Sequence, residues 1–139
     1  MKKSIFLLLT AAFSVLSVQA ATFYGVTDIN KLVAGDEVVI TMAYDGVTYA
    51  LSSEGASGSA PKSEAVTLTD GALADPAAKY VFIVEQVAGG CRFVHESGDF
   101  LYLIDDNKGL RVGKPKAGTT YTDVFNVKAE AEYNGYLYG

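Results

Sequence analysis

Short runs of β-branched and aromatic residues, separated by turns that contain glycine, fill most of the chain after residue 36. The clearest runs span residues 37–42, 47–51, 80–84, 91–95, 100–104 and 110–112. Asp45-Gly46 joins the first two, and a two-residue loop of this type adopts the positive backbone angles of a tight hairpin turn. Valine, isoleucine, phenylalanine and tyrosine suit the pleated, half-buried surface of a sheet. The pattern therefore predicts an all-β fold of antiparallel hairpins.

The run 80–84 is the most apolar stretch after residue 20, and it predicts a strand at the centre of the core with Phe82 as its anchor. Three glycine-containing turns follow it at short intervals and predict a meander. The alternation before the next turn predicts that Val66 and Leu68 face inward. Residues 52–61, by contrast, are polar and small, so we expect a mobile loop that buries nothing.

Residues 1–20 have the pattern of a secretory signal peptide. Two lysines precede an apolar run, and small residues at Val18 and Ala20 suit a signal peptidase. The apolar run is shorter than the roughly 20 residues that a membrane-spanning helix needs. We expect a signal-peptide helix at 1–20 that is cleaved, followed by a single β domain at 21–139, with an uncleaved anchor as the alternative. The protein would then reach the periplasm, the cell surface or the medium.

The net charge of the chain limits its possible partners, and its cysteine content limits its possible cross-links. The formal charge of −5 becomes −7 when Lys2 and Lys3 leave with the signal peptide. A negative protein is repelled by phosphate backbones and anionic lipids, so we expect no nucleic acid partner. Cleavage would remove the apolar run of the signal peptide, and we expect no membrane span after it. Cys91 is the single cysteine and cannot form an internal disulfide. Stability must therefore come from packing.

A partial internal repeat indicates the topology. The sequence 100–102 follows a Gly-Asp turn and reads aromatic-Leu-aromatic, as does 136–138 after Asn-Gly, and 49–51 is a weaker third copy. Phe82 and Phe125 stand at matching places in their strands, and a unit of roughly 40 residues with about four strands is a typical structural repeat. The arrangement resembles a β-trefoil. The alternatives are a small open β-barrel or a sandwich.

Residues 32–40 read Leu-x-Ala-Gly-Asp-x-x-Val-Ile. This segment is similar to the opening of secreted trefoil-like or barrel-like modules in surface proteins of Bacteroidota. The resemblance extends over the chain after residue 20. It implies a non-catalytic accessory module, of the kind found beside nuclease, glycan-degrading or adhesive domains. It implies no particular site residues.

The resemblance also implies an unfinished third repeat. If 136–138 opens that repeat, roughly 30 residues are missing from its end, as judged by the repeat length. We therefore expect a chain truncated at its C-terminus, with a shorter, closed barrel as the alternative. An unfinished barrel exposes a strand edge, and such an edge pairs readily with another chain. Edge-strand self-association is accordingly one expected behaviour.

The sequence lacks a recognisable catalytic or metal-binding motif. His95 is the sole histidine, and Cys91 lies roughly 13 Å from it if both are on one strand, too far for a hydrogen bond. The acidic run from Asp105 lacks the glutamate that an EF-hand loop needs at its twelfth position. No spacing fixes Glu85 and Glu96 as a glycosidase pair. We expect no catalytic residue, cofactor or metal, and a small hydrolase is only the third alternative.

Tyrosines and aspartates beside turns are the remaining candidates for a binding site, because sugars stack on aromatic rings and hydrogen-bond to polar side chains. The candidate ligand-binding residues are Tyr44, Tyr121, Tyr133, Asp99 and Asp105. The leading hypothesis is a secreted, non-catalytic module that binds a glycan or a cell-surface partner. The alternative is a structural or assembly domain that pairs through an open strand edge.

Overall fold

The computed structural model describes residues 21–26, 31–55, 60–104, 109–127 and 137–138, and its regular structure is almost entirely antiparallel β. The strands are β1 (Thr22–Phe23), β2 (Glu37–Val39), β3 (Thr41–Tyr44), β4 (Val47–Leu51), β5 (Ser63–Val66), β6 (Leu73–Ala74), β7 (Val81–Val87), β8 (Gly90–Val94), β9 (Phe100–Ile104), β10 (Leu110–Gly113), β11 (Tyr121–Thr122), β12 (Asn126–Val127) and β13 (Leu137–Tyr138). A short 3₁₀ helix, Ala78–Tyr80, precedes β7. The prediction of an all-β fold of antiparallel hairpins is confirmed.

The main sheet has the strand order β10-β9-β8-β7-β2, and β11 also pairs with β9. Four consecutive strands, β7 to β10, are neighbours in this order, so the predicted meander is confirmed. Gly89 has a φ of 92° and sits in the turn between β7 and β8, a backbone conformation that a glycine adopts without steric cost. The sheet is thus built mainly from local hairpins.

The hydrophobic core lies against one face of the main sheet. Its buried members are Phe82, Val84, Cys91, Phe93, Leu101, Val112 and Phe125. Phe82 and Val84 are fully buried because β7 has a paired strand on both sides and turns every second side chain inward. Phe125 packs against Phe93, with ring centroids 5.9 Å apart. The prediction of Phe82 as the core anchor is confirmed.

A separate three-stranded sheet has the order β3-β4-β5. Asp45 and Gly46 connect β3 to β4 with φ angles of 52° and 79°. Positive φ at both central residues is the signature of a type I′ turn, whose twist matches that of the strands it joins. The hairpin predicted from Asp45-Gly46 is confirmed.

Two local expectations are wrong. Ser52 was expected in an exposed loop, yet it is fully buried because its hydroxyl accepts a hydrogen bond from the Glu54 amide, so the side chain is satisfied without water. Leu68 was expected to face inward but remains 38% exposed, since β5 ends at Val66 and the alternation no longer applies beyond it.

The 3₁₀ helix Ala78–Tyr80 connects the two larger sheets. Lys79 and Tyr80 both donate hydrogen bonds to the Glu64 carboxylate on β5, the tyrosine at 2.8 Å. On the other side, the His95 ring donates to the carbonyl of Ala78 at 3.0 Å. Hydrogen bonds from Lys79 and Tyr80 lower the pKa of Glu64, and Glu64 in turn raises the pKa of both partners. This network holds the three-stranded sheet beside the main one.

The strands described form four separate antiparallel sheets and do not close into a barrel. The trefoil topology and its repeats therefore stay predictions, although Phe82 and Phe125 do share one core. Strand β13, at the predicted opening of the third repeat, pairs with β12. The expected signal-peptide helix at 1–20 lies outside the described residues. Among the residues described, no helix has the length and apolar character needed to cross a membrane.

Candidate functional site

Strand β9 carries aromatic side chains on the face of the main sheet that points away from the core. Side chains alternate along a strand, so Leu101 faces the core while Phe100 and Tyr102 lie on the opposite, outer face. Tyr121 of β11 is paired with Ile104 and therefore lies on this outer face as well. Strand pairing thus brings together three aromatic residues from two separate segments.

Phe100, Tyr102 and Tyr121 form one cluster, which we call the aromatic patch. The ring centroid of Tyr121 lies 6.1 Å from that of Phe100 and 5.7 Å from that of Tyr102, and Phe100 and Tyr102 are 5.8 Å apart. Tyr102 is only 1% exposed, whereas Tyr121 is 40% exposed. These are the separations and tilts that aromatic pairs prefer. The patch therefore presents the Tyr121 ring to solvent on a firm aromatic support.

Arg92 of β8 borders the aromatic patch and is held by two carboxylates. Its guanidinium donates to Glu85 on β7 and to Asp123, the latter at 2.8 Å, and lies 4.8 Å from the centroid of the Phe100 ring. Burial opposes the charge on Arg92, but the hydrogen bonds to Asp123 and Glu85 outweigh it and raise its pKa. Two carboxylates around one guanidinium leave this border with a net negative charge.

A second ion pair involves the residue that directly precedes β9. Asp99 precedes Phe100 in the chain, and its carboxylate accepts a hydrogen bond from Lys114 at 2.8 Å. The Lys114 side chain is 62% exposed and that of Asp99 is 34% exposed, so water screens the pair and it contributes little to stability. By the alternation that places Phe100 on the outer face, Asp99 is directed toward the opposite face, so this ion pair is not part of the aromatic patch.

The five predicted binding residues fall into three groups. Tyr121 and Asp99 lie near β9: Tyr121 belongs to the aromatic patch, and Asp99 directly precedes the strand and pairs with Lys114. Tyr44 is exposed as expected, at 70%, but it lies on β3 in the three-stranded sheet and makes no described contact with the patch. Tyr133 and Asp105 lie outside the described residues. Of the five, only Tyr121 lies in the aromatic patch, Tyr44 lies on a different sheet, and their role in binding stays a prediction.

Cys91 lies on the core-facing side of β8, His95 directly follows that strand, and both side chains make hydrogen bonds. The Ser97 amide donates to Nδ1 of His95 at 3.1 Å, while Nε2 carries the proton that is donated to Ala78. This set of partners suits the neutral imidazole. Burial raises the pKa of the Cys91 thiol, which opposes formation of the reactive thiolate, although a hydrogen bond to Gln86 partly offsets that effect. The contacts of both side chains are structural.

A cleft of about 200 Å³ lies beside β2 and β7 of the main sheet. It is lined by Ala21, Phe23, Glu37, Asp75, Pro76, Ala78, Val81, Ile83 and Glu96. Glu96 thus lines the cleft while Glu85 is bound to Arg92, so the two carboxylates weighed for glycoside hydrolysis have separate surroundings. In the part of the chain that the structure describes, no three histidine, cysteine or acidic side chains are grouped to hold a metal ion.

Sequence reasoning missed Arg92, Asp123 and Phe100 as members of this surface. For Phe100 the available signal was strict alternation, which places it and Tyr102 on the face of the strand opposite Leu101. Tyr102 is the buried member of the aromatic patch, and Tyr121 is the exposed one. Arg92 and Asp123 are 31 positions apart and carry no local signal of their pairing.

Comparison of the chain with protein-family models, curated proteins and solved structures found no significant match. No family is assigned. The resemblance to secreted modules of Bacteroidota therefore stays a prediction, and any function has to be argued from the residues of this chain alone.

Proposed function

We propose that this protein is a secreted, non-catalytic module that binds neutral glycans through the aromatic patch. The observation that carries the proposal is the exposed ring of Tyr121, which is supported from behind by Phe100 and Tyr102. A sugar ring offers C–H groups on its faces and hydroxyls around its edge. An exposed tyrosine ring stacks on the C–H face of the sugar, and nearby ionic groups hydrogen-bond to its hydroxyls.

The polar groups around the patch have the character that sugar hydroxyls need. Arg92 lies against the Phe100 ring and is held by the carboxylates of Glu85 and Asp123. Carboxylates accept hydrogen bonds from hydroxyls, and the guanidinium donates them. Each of these charged groups already has an ion-pair partner, so it is held in place before a ligand arrives.

The charge balance favours a neutral glycan over an acidic one. The formal charge of the whole chain is −5, and the border formed by Arg92, Glu85 and Asp123 adds a local excess of negative charge. A uronic acid or a sulfated sugar would be repelled by both. Export, as predicted from residues 1–20, would bring the module to a place where polysaccharides are abundant.

Affinity electrophoresis and calorimetry with neutral polysaccharides test the proposal. Tyr121→Ala should weaken binding about tenfold, which corresponds to the loss of roughly 1.4 kcal/mol of ring contact. Tyr44→Ala is the matched control, because it removes an even more exposed tyrosine from the three-stranded sheet, and it should leave binding unchanged. Equal losses in the two variants, or failure to bind any neutral glycan, would contradict the proposal.

A further inference from the structure

Strand β3 is an edge of the three-stranded sheet. Its only partner among the described strands is β4, and the order β3-β4-β5 leaves its other side open. The backbone hydrogen bonds between the remaining described residues do not involve Thr41 or Ala43. Within the described part of the chain, β3 therefore offers one side of its backbone for further pairing.

The direction of each backbone group follows from the hydrogen-bond register. The Leu51 amide donates to the Ile40 carbonyl at 2.9 Å. In an antiparallel ladder, hydrogen-bonded and non-hydrogen-bonded pairs alternate, so the next bonded residues on this strand are Met42 and Tyr44. The amides and carbonyls of the two residues in between, 41 and 43, consequently point away from β4.

The sequence of this edge carries none of the usual protection against pairing. Residues 39–44 contain no charged residue and no proline. Met42 is 44% exposed and Tyr44 is 70% exposed on the same face of the strand. Natural edges are commonly blocked by charge, proline or a bulge. On the opposite edge of the same sheet, by comparison, Glu64 lies within β5 and Lys62 lies directly before it.

We infer that a second copy of this chain pairs with β3 in antiparallel orientation, with Met42 on the two-fold axis. In this register, Thr41 faces Ala43 of the second copy, and each of the two exchanges its outward amide and carbonyl with the other. The two-fold axis repeats these bonds. Because the strand is its own complement in this arrangement, no other chain has to supply a matching sequence.

The same register covers the exposed apolar side chains. Tyr44 lies opposite Ile40 of the second copy, and the two Met42 side chains face each other across the axis. The two three-stranded sheets then continue as one six-stranded sheet. Tyr44 is outside the aromatic patch, and the pairing therefore neither requires nor blocks the proposed glycan site.

Proline substitution at each edge tests which strand pairs. Ala43→Pro removes an outward-facing amide of β3 and spares the bonds to β4. Ala65→Pro is the matched control, because by the same alternation it removes an outward amide from β5. Light scattering after size exclusion should give the mass of a dimer for the purified protein and for Ala65→Pro, and that of a monomer for Ala43→Pro. A monomeric wild-type protein at high concentration, or dissociation by Ala65→Pro alone, would overturn the inference.

Disulfide trapping tests the register without depending on the proline variants. A non-hydrogen-bonded antiparallel pair brings two Cα atoms to about 4.5 Å, so Met42→Cys should give a covalent dimer under mild oxidation. Tyr44→Cys is the register control, because its two copies would be roughly 13 Å apart and should not cross-link. Wild type, in which Cys91 is buried, should stay uncross-linked. Equal cross-linking at both positions, or none at Met42→Cys, would overturn the proposed register.

Discussion

At the scale of single residues, the ionic network on the 3₁₀ helix links stability to pH. Glu64 accepts hydrogen bonds from Lys79 and Tyr80, and these lower its pKa. The folded protein thus binds fewer protons at this site than the unfolded chain does at acid pH. Its contribution to stability is present above the ordinary pKa range of a glutamate, about 4, and is lost as the pH falls through the lowered value. The raised pKa of Lys79 acts in the opposite sense, and its contribution is lost as the pH rises through alkaline values.

Glu64→Gln should therefore flatten the dependence of the unfolding free energy on pH at both the acid and the alkaline ends. Urea denaturation at a series of pH values measures this slope. Tyr80→Phe is a graded comparison, because it removes one donor and keeps the carboxylate, and it should flatten the acid limb less. Parallel curves for wild type and Glu64→Gln would show that the network has no such role.

At the scale of elements, β8 depends on a close approach by the segment around Phe125. Cys91 and Phe125 exchange backbone hydrogen bonds at 2.9 and 2.8 Å, and this bridge brings the Phe125 ring into the core. Gly90 lies directly beneath that segment. A Cβ atom at Gly90 would clash with the Phe125 carbonyl and lie 3.2 Å from the Val124 side chain. A glycine is needed at position 90 because the Phe125 segment leaves no room for a side chain.

Gly90→Ala should destabilise the protein by about 1–3 kcal/mol, because the Phe125 backbone has to move to admit the methyl group. Gly25→Ala is the matched control, since no atom lies within 4 Å of the added methyl group there, and its effect should stay within about 0.5 kcal/mol. Chemical denaturation measures both. A Gly90→Ala protein as stable as wild type would mean that the Phe125 segment is not packed firmly on β8.

At the scale of the whole molecule, stability is concentrated in the main sheet. Strand β7 has partners on both sides, and Phe82 and Val84 are completely buried. The three-stranded sheet buries less, and on β3 three of four residues are exposed. Local opening is least costly where few apolar contacts are lost. The two sheets should therefore differ in their protection against exchange.

Native-state hydrogen exchange should show the slowest hydrogen-bonded amides in β7 and β8 and faster ones in the β3–β4 hairpin. Mass spectrometry of peptides from the two sheets resolves the difference. The comparison is best made at low protein concentration, because the pairing inferred for β3 would slow exchange at Thr41 and Ala43. Exchange at one uniform rate throughout would indicate that the sheets open only together.

Local pattern alone determined much of this protein. Alternation and turn chemistry predicted the all-β fold, the meander, the Asp45-Gly46 hairpin and the burial of Phe82, since each depends on neighbours within one or two hairpins. The exposure of Tyr44 and Tyr121 followed from their places beside turns.

Only the tertiary structure decided which distant residues meet. The pairing of β11 with β9 placed Tyr121 on Phe100 and Tyr102, and it left Tyr44 on another sheet. Ser52 became buried where its amide pairs with the carbonyl of Lys62, ten positions further along the chain. Such outcomes depend on which distant strands pair and in which register. The local sequence of a strand does not select its partner, because several strands could pair with it until the core is packed.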